Sequence, residues 1–252
     1  MSIEKFKEAV YNKNVQGAVS AIKGLKDPNK TYEILDGDTP ILYAAQFDFS
    51  EILGPLLDLG LNPNVWNGMG WSPLHYAVCH QDLDAYTTLV EAGASITQLG
   101  HPKAPLLPIA ISKGDMEFCQ RLLEAGVDVN EVDYYGNTPI VYAAGVDNPE
   151  MWEMLISAGA DIDAVSSKVL HAAARDGNIR TCEYLIEYGI DVNGKSDEGF
   201  TPLHHAAVKD LPEVCKFLRE VGADLTAQTD KGYTPIDLAK QRMYKSVIEV
   251  LK

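Results

Sequence analysis

The chain has 252 residues, of which 46% are hydrophobic, and a formal net charge of −15. That apolar content suffices for an ample core, and no apolar run approaches the ~20 residues of a membrane helix. The opening Met1-Ser2-Ile3-Glu4-Lys5-Phe6-Lys7-Glu8 lacks the apolar stretch of a secretion signal, so a cytoplasmic location, with the nucleus as the alternative, is expected; the protein on its own is expected to be a monomer.

The acidity is concentrated. Residues 31–165 hold only Lys103, Lys113 and Arg121 against twenty Asp and Glu, whereas residues 1–30 carry six Lys and three acids. Such a field repels phosphate-rich surfaces, so neither nucleic acid nor a membrane is an expected partner; a basic protein segment is attracted instead. A solubilising role for the same charge is the alternative.

In chain order, residues 3–12 and 15–25 read as a first helix pair, with Glu4, Lys5, Lys7, Glu8 and Lys13 on its polar positions. From residue 33 onward the chain repeats itself. Leu56-Leu57-Asp58-Leu59-Gly60 returns as Leu89-Val90-Glu91-Ala92-Gly93, then as Leu122-Leu123-Glu124-Ala125-Gly126, and again before Gly159, Gly189 and Gly222. These glycines lie 33, 33, 33, 30 and 33 positions apart. Thr39-Pro40, Ser72-Pro73, Thr138-Pro139, Thr201-Pro202 and Thr234-Pro235 keep the same beat. A fixed period of this size implies a stacked array.

Each marker has a mechanical reason. Proline at the first helical turn gives up an N–H that has no intrahelical partner, and the preceding Thr or Ser caps the exposed amides. Met116, Cys119, Leu122 and Leu123 follow helical spacing and are expected to face a core. The glycine that follows suits the left-handed position that ends a helix. One such unit cannot bury its apolar face alone, so the core requires stacked neighbours.

Ser72-Pro73-Leu74-His75-Tyr76-Ala77, Thr201-Pro202-Leu203-His204-His205-Ala206-Ala207 and Gly126-Val127-Asp128-Val129-Asn130 closely resemble the ankyrin repeat. The resemblance covers essentially the whole chain. It implies an all-α solenoid of stacked helix-turn-helix units with β-hairpin fingers: a degenerate capping repeat over 1–32 and seven repeats over 33–252, the last serving as the C-terminal cap. Repeat three departs from the pattern with Pro105-Leu106-Leu107-Pro108, and the segment from Asp161 to His171 lacks Gly-x-Thr-Pro, so its finger is expected to be truncated. That shortening is read either as a harmless deletion or as a notch that admits a partner.

Cys119, Cys182 and Cys215 each stand seven residues before a repeat glycine. Neighbouring repeats sit at helix-packing distances of about 8–10 Å, beyond the ~7 Å reach of a disulfide. These cysteines are therefore expected to be buried and reduced.

The resemblance also implies that partners bind the concave face made by finger tips and first helices. On this chain those positions include Trp66, Met69, Trp71, His80, His101, Tyr134, Tyr135 and Asn137. Aromatic and Met side chains there have the composition of a binding hot spot, unless the rings lie flat and stabilise the fingers. The expected function is a protein-interaction module: a scaffold, adaptor or inhibitor. A second reading is a reader of basic or methyl-lysine tails, using Trp66, Trp71 and Asp133 for cation–π attraction. An enzyme is the third and weakest: the chain has no Gly-x-Ser-x-Gly, phosphate loop or His-Glu-x-x-His. The family resemblance makes His75, His171 and His204 structural. No cofactor and no metal are expected.

Overall fold

Proline sets the start of most first helices, as the sequence requires. The computed structural model describes residues 2–98, 100–101, 103–162 and 166–252. These fall into two compact units, residues 1–136 and 137–252.

The first unit contains four helix pairs: α1 (Ser2–Tyr11) with α2 (Val15–Lys23), α3 (Pro40–Gln46) with α4 (Leu53–Asp58), α5 (Pro73–His80) with α6 (Leu83–Glu91), and α7 (Leu106–Ser112) with α8 (Met116–Glu124). The first helices α3, α5 and α7 lie side by side, and α2, α4 and α6 form a second row. Between the rows, Phe6, Leu53, Leu56, Leu74, Leu89, Phe118 and Leu122 are sealed from solvent. On α8 the buried face is Phe118, Cys119 and Leu122; Met116 and Leu123 are only half-buried.

The second unit repeats the plan with α9 (Pro139–Ala143) and α10 (Pro149–Ser157), α11 (Ser166–Asp176) and α12 (Ile179–Tyr188), α13 (Pro202–Val208) and α14 (Pro212–Glu220), and α15 (Pro235–Gln241) and α16 (Lys245–Val250). Here α9, α11, α13 and α15 pack in sequence. Helix α11 has no proline start and already begins at Ser166. The expected short finger falls mainly on residues 163–165, outside the described residues.

Helix ends follow the predicted chemistry. The glycines at 60, 93, 126, 159, 189 and 222 have φ between +82° and +109°. In each case the next residue's N–H returns to a carbonyl of the last turn, as from Ala94 to Leu89 O at 2.9 Å and from Val127 to Leu122 O at 3.2 Å. This is the Schellman closure that satisfies otherwise orphaned carbonyls. Asparagines then stitch one repeat to the next. Asn64 Nδ2 donates to Gly93 O at 2.9 Å, while its Oδ1 accepts from Ser95 N–H at 2.7 Å. Asn193 makes the same pair of bonds to Gly222 O and Asp224 N–H.

His75 and His204 are structural. His75 Nδ1 accepts from Ser72 N–H at 3.0 Å, and Nε2 donates to Ala104 O at 2.6 Å. Burial lowers its pKa to about 4, so the ring is held neutral. His204 repeats this geometry with Thr201 and Tyr233. Asp237 takes the role in the last repeat, its Oδ2 accepting from the Thr234 hydroxyl at 2.6 Å. Where the position is aliphatic, at Leu42 and Val141, the buried Thr39 and Thr138 hydroxyls have no partner. Substitution should separate the two cases. Thr201→Val is expected to cost about 1–2 kcal/mol through loss of a cap. Thr138→Val should be neutral or stabilising by up to about 1 kcal/mol, because it removes an unmet hydroxyl. Urea melts of the two variants check this; equal losses would contradict the assigned hydrogen bonds.

All four cysteines are free, and Cys119, Cys182 and Cys215 are fully buried. Burial, with nearby Asp115, Asp147 and Asp210 respectively, pushes their thiols up to about 12. Thiols so far from ionisation are poor nucleophiles.

The fingers differ from expectation: among the described residues none is a β-strand. Finger two is a tight turn, in which Asn67 N–H reaches Trp71 O at 2.9 Å and Gly70 N–H reaches Asn67 O at 3.0 Å. Ser196 with Phe200 and Thr229 with Tyr233 close in the same way. Five-residue loops leave too little extended backbone for a ladder, and adjacent fingers meet through isolated bonds such as Tyr134 N–H to Lys103 O at 3.2 Å.

Candidate interaction surface

The expected site residues fall on three consecutive fingers of the first unit, with two exceptions. Asn137 opens the second unit and is half-buried. His80 ends α5, with Nδ1 3.6 Å from Asp48 Oδ1.

Finger two is organised by Asn67. Its Oδ1 accepts from Met69 N–H at 3.0 Å and Trp71 N–H at 3.1 Å, and its Nδ2 donates to Tyr76 Oη at 2.9 Å. This arrangement pushes Met69 outward, 58% exposed. It turns Trp71 inward: the indole stacks on His75 with centroids 6.0 Å apart and meets Tyr76 edge-on at 5.2 Å. The Trp71 ring thus packs within its own repeat, in line with the alternative that a tip ring stabilises its finger. Trp66 is half-buried.

Fingers two and three touch at a glycine. A Cβ on Gly100 would lie 2.5 Å from both Trp66 Cδ1 and Gly70 O, so only glycine allows this approach. His101 beside it is exposed. Finger three joins finger four through the Lys103–Tyr134 backbone bond and through Lys103 Nζ, 3.4 Å from Glu131 Oε1. Asp133 Oδ1 holds Tyr135 N–H at 2.8 Å. Tyr134 and Tyr135 meet edge to face at 5.4 Å and remain 69% and 79% exposed. Met69, Tyr134 and Tyr135 therefore stand outward on a continuous row of fingers.

The surrounding charge is one-sided. Residues 31–136 carry fifteen acids and three cations. Two of those cations are already engaged: Lys103 with Glu131, and Arg121 with Glu117 at 2.8 Å. Asn67 and Gly100 were not singled out from sequence. Their signals were present, since Asn67-x-x-Gly70 occupies the turn position of Asp133-x-x-Gly136, and Gly100 falls in the finger that departs from the pattern.

Among the described residues no helix is long and apolar enough to cross a membrane. Over 75 residues the chain is 36% identical to the nuclear factor NF-kappa-B p110 subunit of Drosophila melanogaster, a stretch covering 30% of this chain and 8% of that protein. The family model described as ankyrin repeats (3 copies) matches residues 6–100, 96–166 and 165–229. With helix pairs, left-handed helix ends and the Ser72–His75 and Thr201–His204 caps all in that register, the chain belongs to the ankyrin-repeat family.

Proposed function

We propose that this protein is an interaction module that docks a basic segment of another protein across fingers two to four of its first unit. Ankyrin repeats generally mediate protein–protein interaction. The observation that carries the finer reading is the outward placement of Met69 on finger two and of Tyr134 and Tyr135 on finger four, within a strongly acidic stretch. Large apolar side chains held in solvent are suited to burial by a partner. In this reading residues 1–32 cap an array of seven repeats over 33–252, and the protein acts in the cytoplasm or nucleus as a scaffold, adaptor or inhibitor.

A methyl-lysine cage built on Trp66 and Trp71 is less well supported. A cage needs open ring faces, and the Trp71 ring is packed on His75 and Tyr76.

Charge complementarity acts on encounter more than on residence. Association with the native partner, followed by stopped-flow, should slow about tenfold or more as salt rises through the range where the Debye length shrinks from ~30 to ~8 Å. Dissociation should change little. An association rate indifferent to salt would contradict a basic partner.

A further inference from the structure

We propose that Asn67 is a self-promoted deamidation site, so that finger two carries a chemical clock independent of any partner. The chain contains two Asn-Gly pairs, Asn67-Gly68 and Asn193-Gly194. In such a pair no side chain shields the following amide nitrogen. A solvent base takes the Gly68 amide proton, and that nitrogen attacks Asn67 Cγ. The N–Cγ bond forms, the Cγ–Nδ2 bond breaks and ammonia leaves. Water then opens the cyclic imide to aspartate or isoaspartate. No electrons are transferred.

Three features of finger two favour this path. First, the nucleophile is available. Gly68 is exposed, a Cβ placed on it would meet nothing within 4 Å, and its N–H makes no hydrogen bond among the described residues. Second, the oxygen that gains negative charge is already held. Asn67 Oδ1 accepts from the N–H groups of Met69 at 3.0 Å and Trp71 at 3.1 Å, two fixed donors aimed where charge develops. Third, the leaving nitrogen has a proton source. Tyr76 Oη lies 2.9 Å from Nδ2, and the phenol can give a proton to that nitrogen as its lone pair appears.

Asn193 lacks the first and the third and has only half of the second. Gly194 N–H is bound to Asp191 O at 3.0 Å. Asn193 Oδ1 has one protein donor, Asp224 N–H at 2.8 Å, and Nδ2 faces the Gly222 carbonyl, which has no proton to give.

The products alter the finger. Aspartate at 67 replaces the amide donor to Tyr76 with an acceptor. Isoaspartate adds a methylene to the backbone inside the loop closed by Asn67 N–H and Trp71 O, displacing Met69 and Trp71. Met69 would then lose its place beside the other fingers.

Peptide mapping by mass spectrometry of the full chain, aged in mildly alkaline buffer, tests this. Asn67 is expected to convert about tenfold faster than Asn193, the effect of ~1.4 kcal/mol at the transition state. In urea the two rates should converge, because the Oδ1 donors and the Tyr76 proton are lost. Tyr76→Phe in the folded chain should slow Asn67 and leave Asn193 unchanged. Faster conversion of Asn67 in urea than in the folded chain, or native rates equal at both sites, would overturn the proposal.

Discussion

Gly199→Val is expected to uncouple the end of the second unit. Gly199 has φ +75°, and its N–H closes the finger turn to Ser196 O at 2.9 Å. A β-branched residue at positive φ costs about 1–3 kcal/mol in backbone strain. Space adds a second cost: a Cβ there would lie 2.7 Å from Asp230 Oδ1, 2.8 Å from Asp230 N and 3.2 Å from Thr229 C. Backbone atoms cannot swing aside, so the neighbouring finger must move and the Asp230 N–H bond to Glu198 O is lost. Forced overpacking of this kind costs a further ~1–3 kcal/mol. Gly232 is the internal control. It holds the same tip position with φ +78° and has nothing within 4 Å of a Cβ. Gly232→Val should therefore carry strain alone and be less damaging by about 2 kcal/mol. Because a solenoid is coupled through nearest neighbours, the Gly199 variant should also show faster amide exchange through α15 and α16. Equal melts for the two valine variants would contradict the finger contact.

Most of the fold is written in local chemistry, which is why the sequence exposes it. Proline at 40, 73, 139, 202 and 235 fixes helix starts, and the six glycines fix helix ends, because both act within one turn. The roles of His75 and His204 come from the family resemblance, and the structure gives their reason: each ring lies three residues from the capping hydroxyl that it meets. The fingers were less legible. Whether a loop pairs as strands depends on how much extended backbone its neighbour offers, and no local residue encodes that. Trp152 was also silent in the sequence. It occupies the position that Cys119, Cys182 and Cys215 hold in other repeats, and it is fully buried.

The candidate site was legible as composition but not as orientation. Trp66, Met69, Trp71, Tyr134 and Tyr135 share tip positions, yet the turn sends their side chains to different fates. The Asx-type bonds of Asn67 project Met69 and fold Trp71 onto α5. Trp66 is half-buried against a finger whose close approach depends on Gly100. Asp133 holds the backbone of the next residue but one, and both tyrosines remain outside. Only three of the five therefore offer large area that the fold itself leaves uncovered.

Removing those three side chains should abolish recognition while sparing the fold. Met69, Tyr134 and Tyr135 are 58%, 69% and 79% exposed, so Met69→Ser, Tyr134→Ser and Tyr135→Ser together delete little internal packing. Large anchors at an interface centre cost ~2 kcal/mol or more each on truncation, and their effects are not additive. A combined loss of about 3 kcal/mol corresponds to roughly 100-fold in affinity. Tyr188→Ser, at a 51% exposed tyrosine of the second unit, serves as the matched control. The decisive measurement is the Kd of the native partner for the wild type, the triple variant and this control at one salt concentration, with melting temperatures recorded alongside. The finger surface predicts a loss of roughly 100-fold for the triple variant, no loss for Tyr188→Ser and unchanged melting for both. Full-strength binding by the triple variant, or a comparable loss from Tyr188→Ser, would place the interface elsewhere on the molecule.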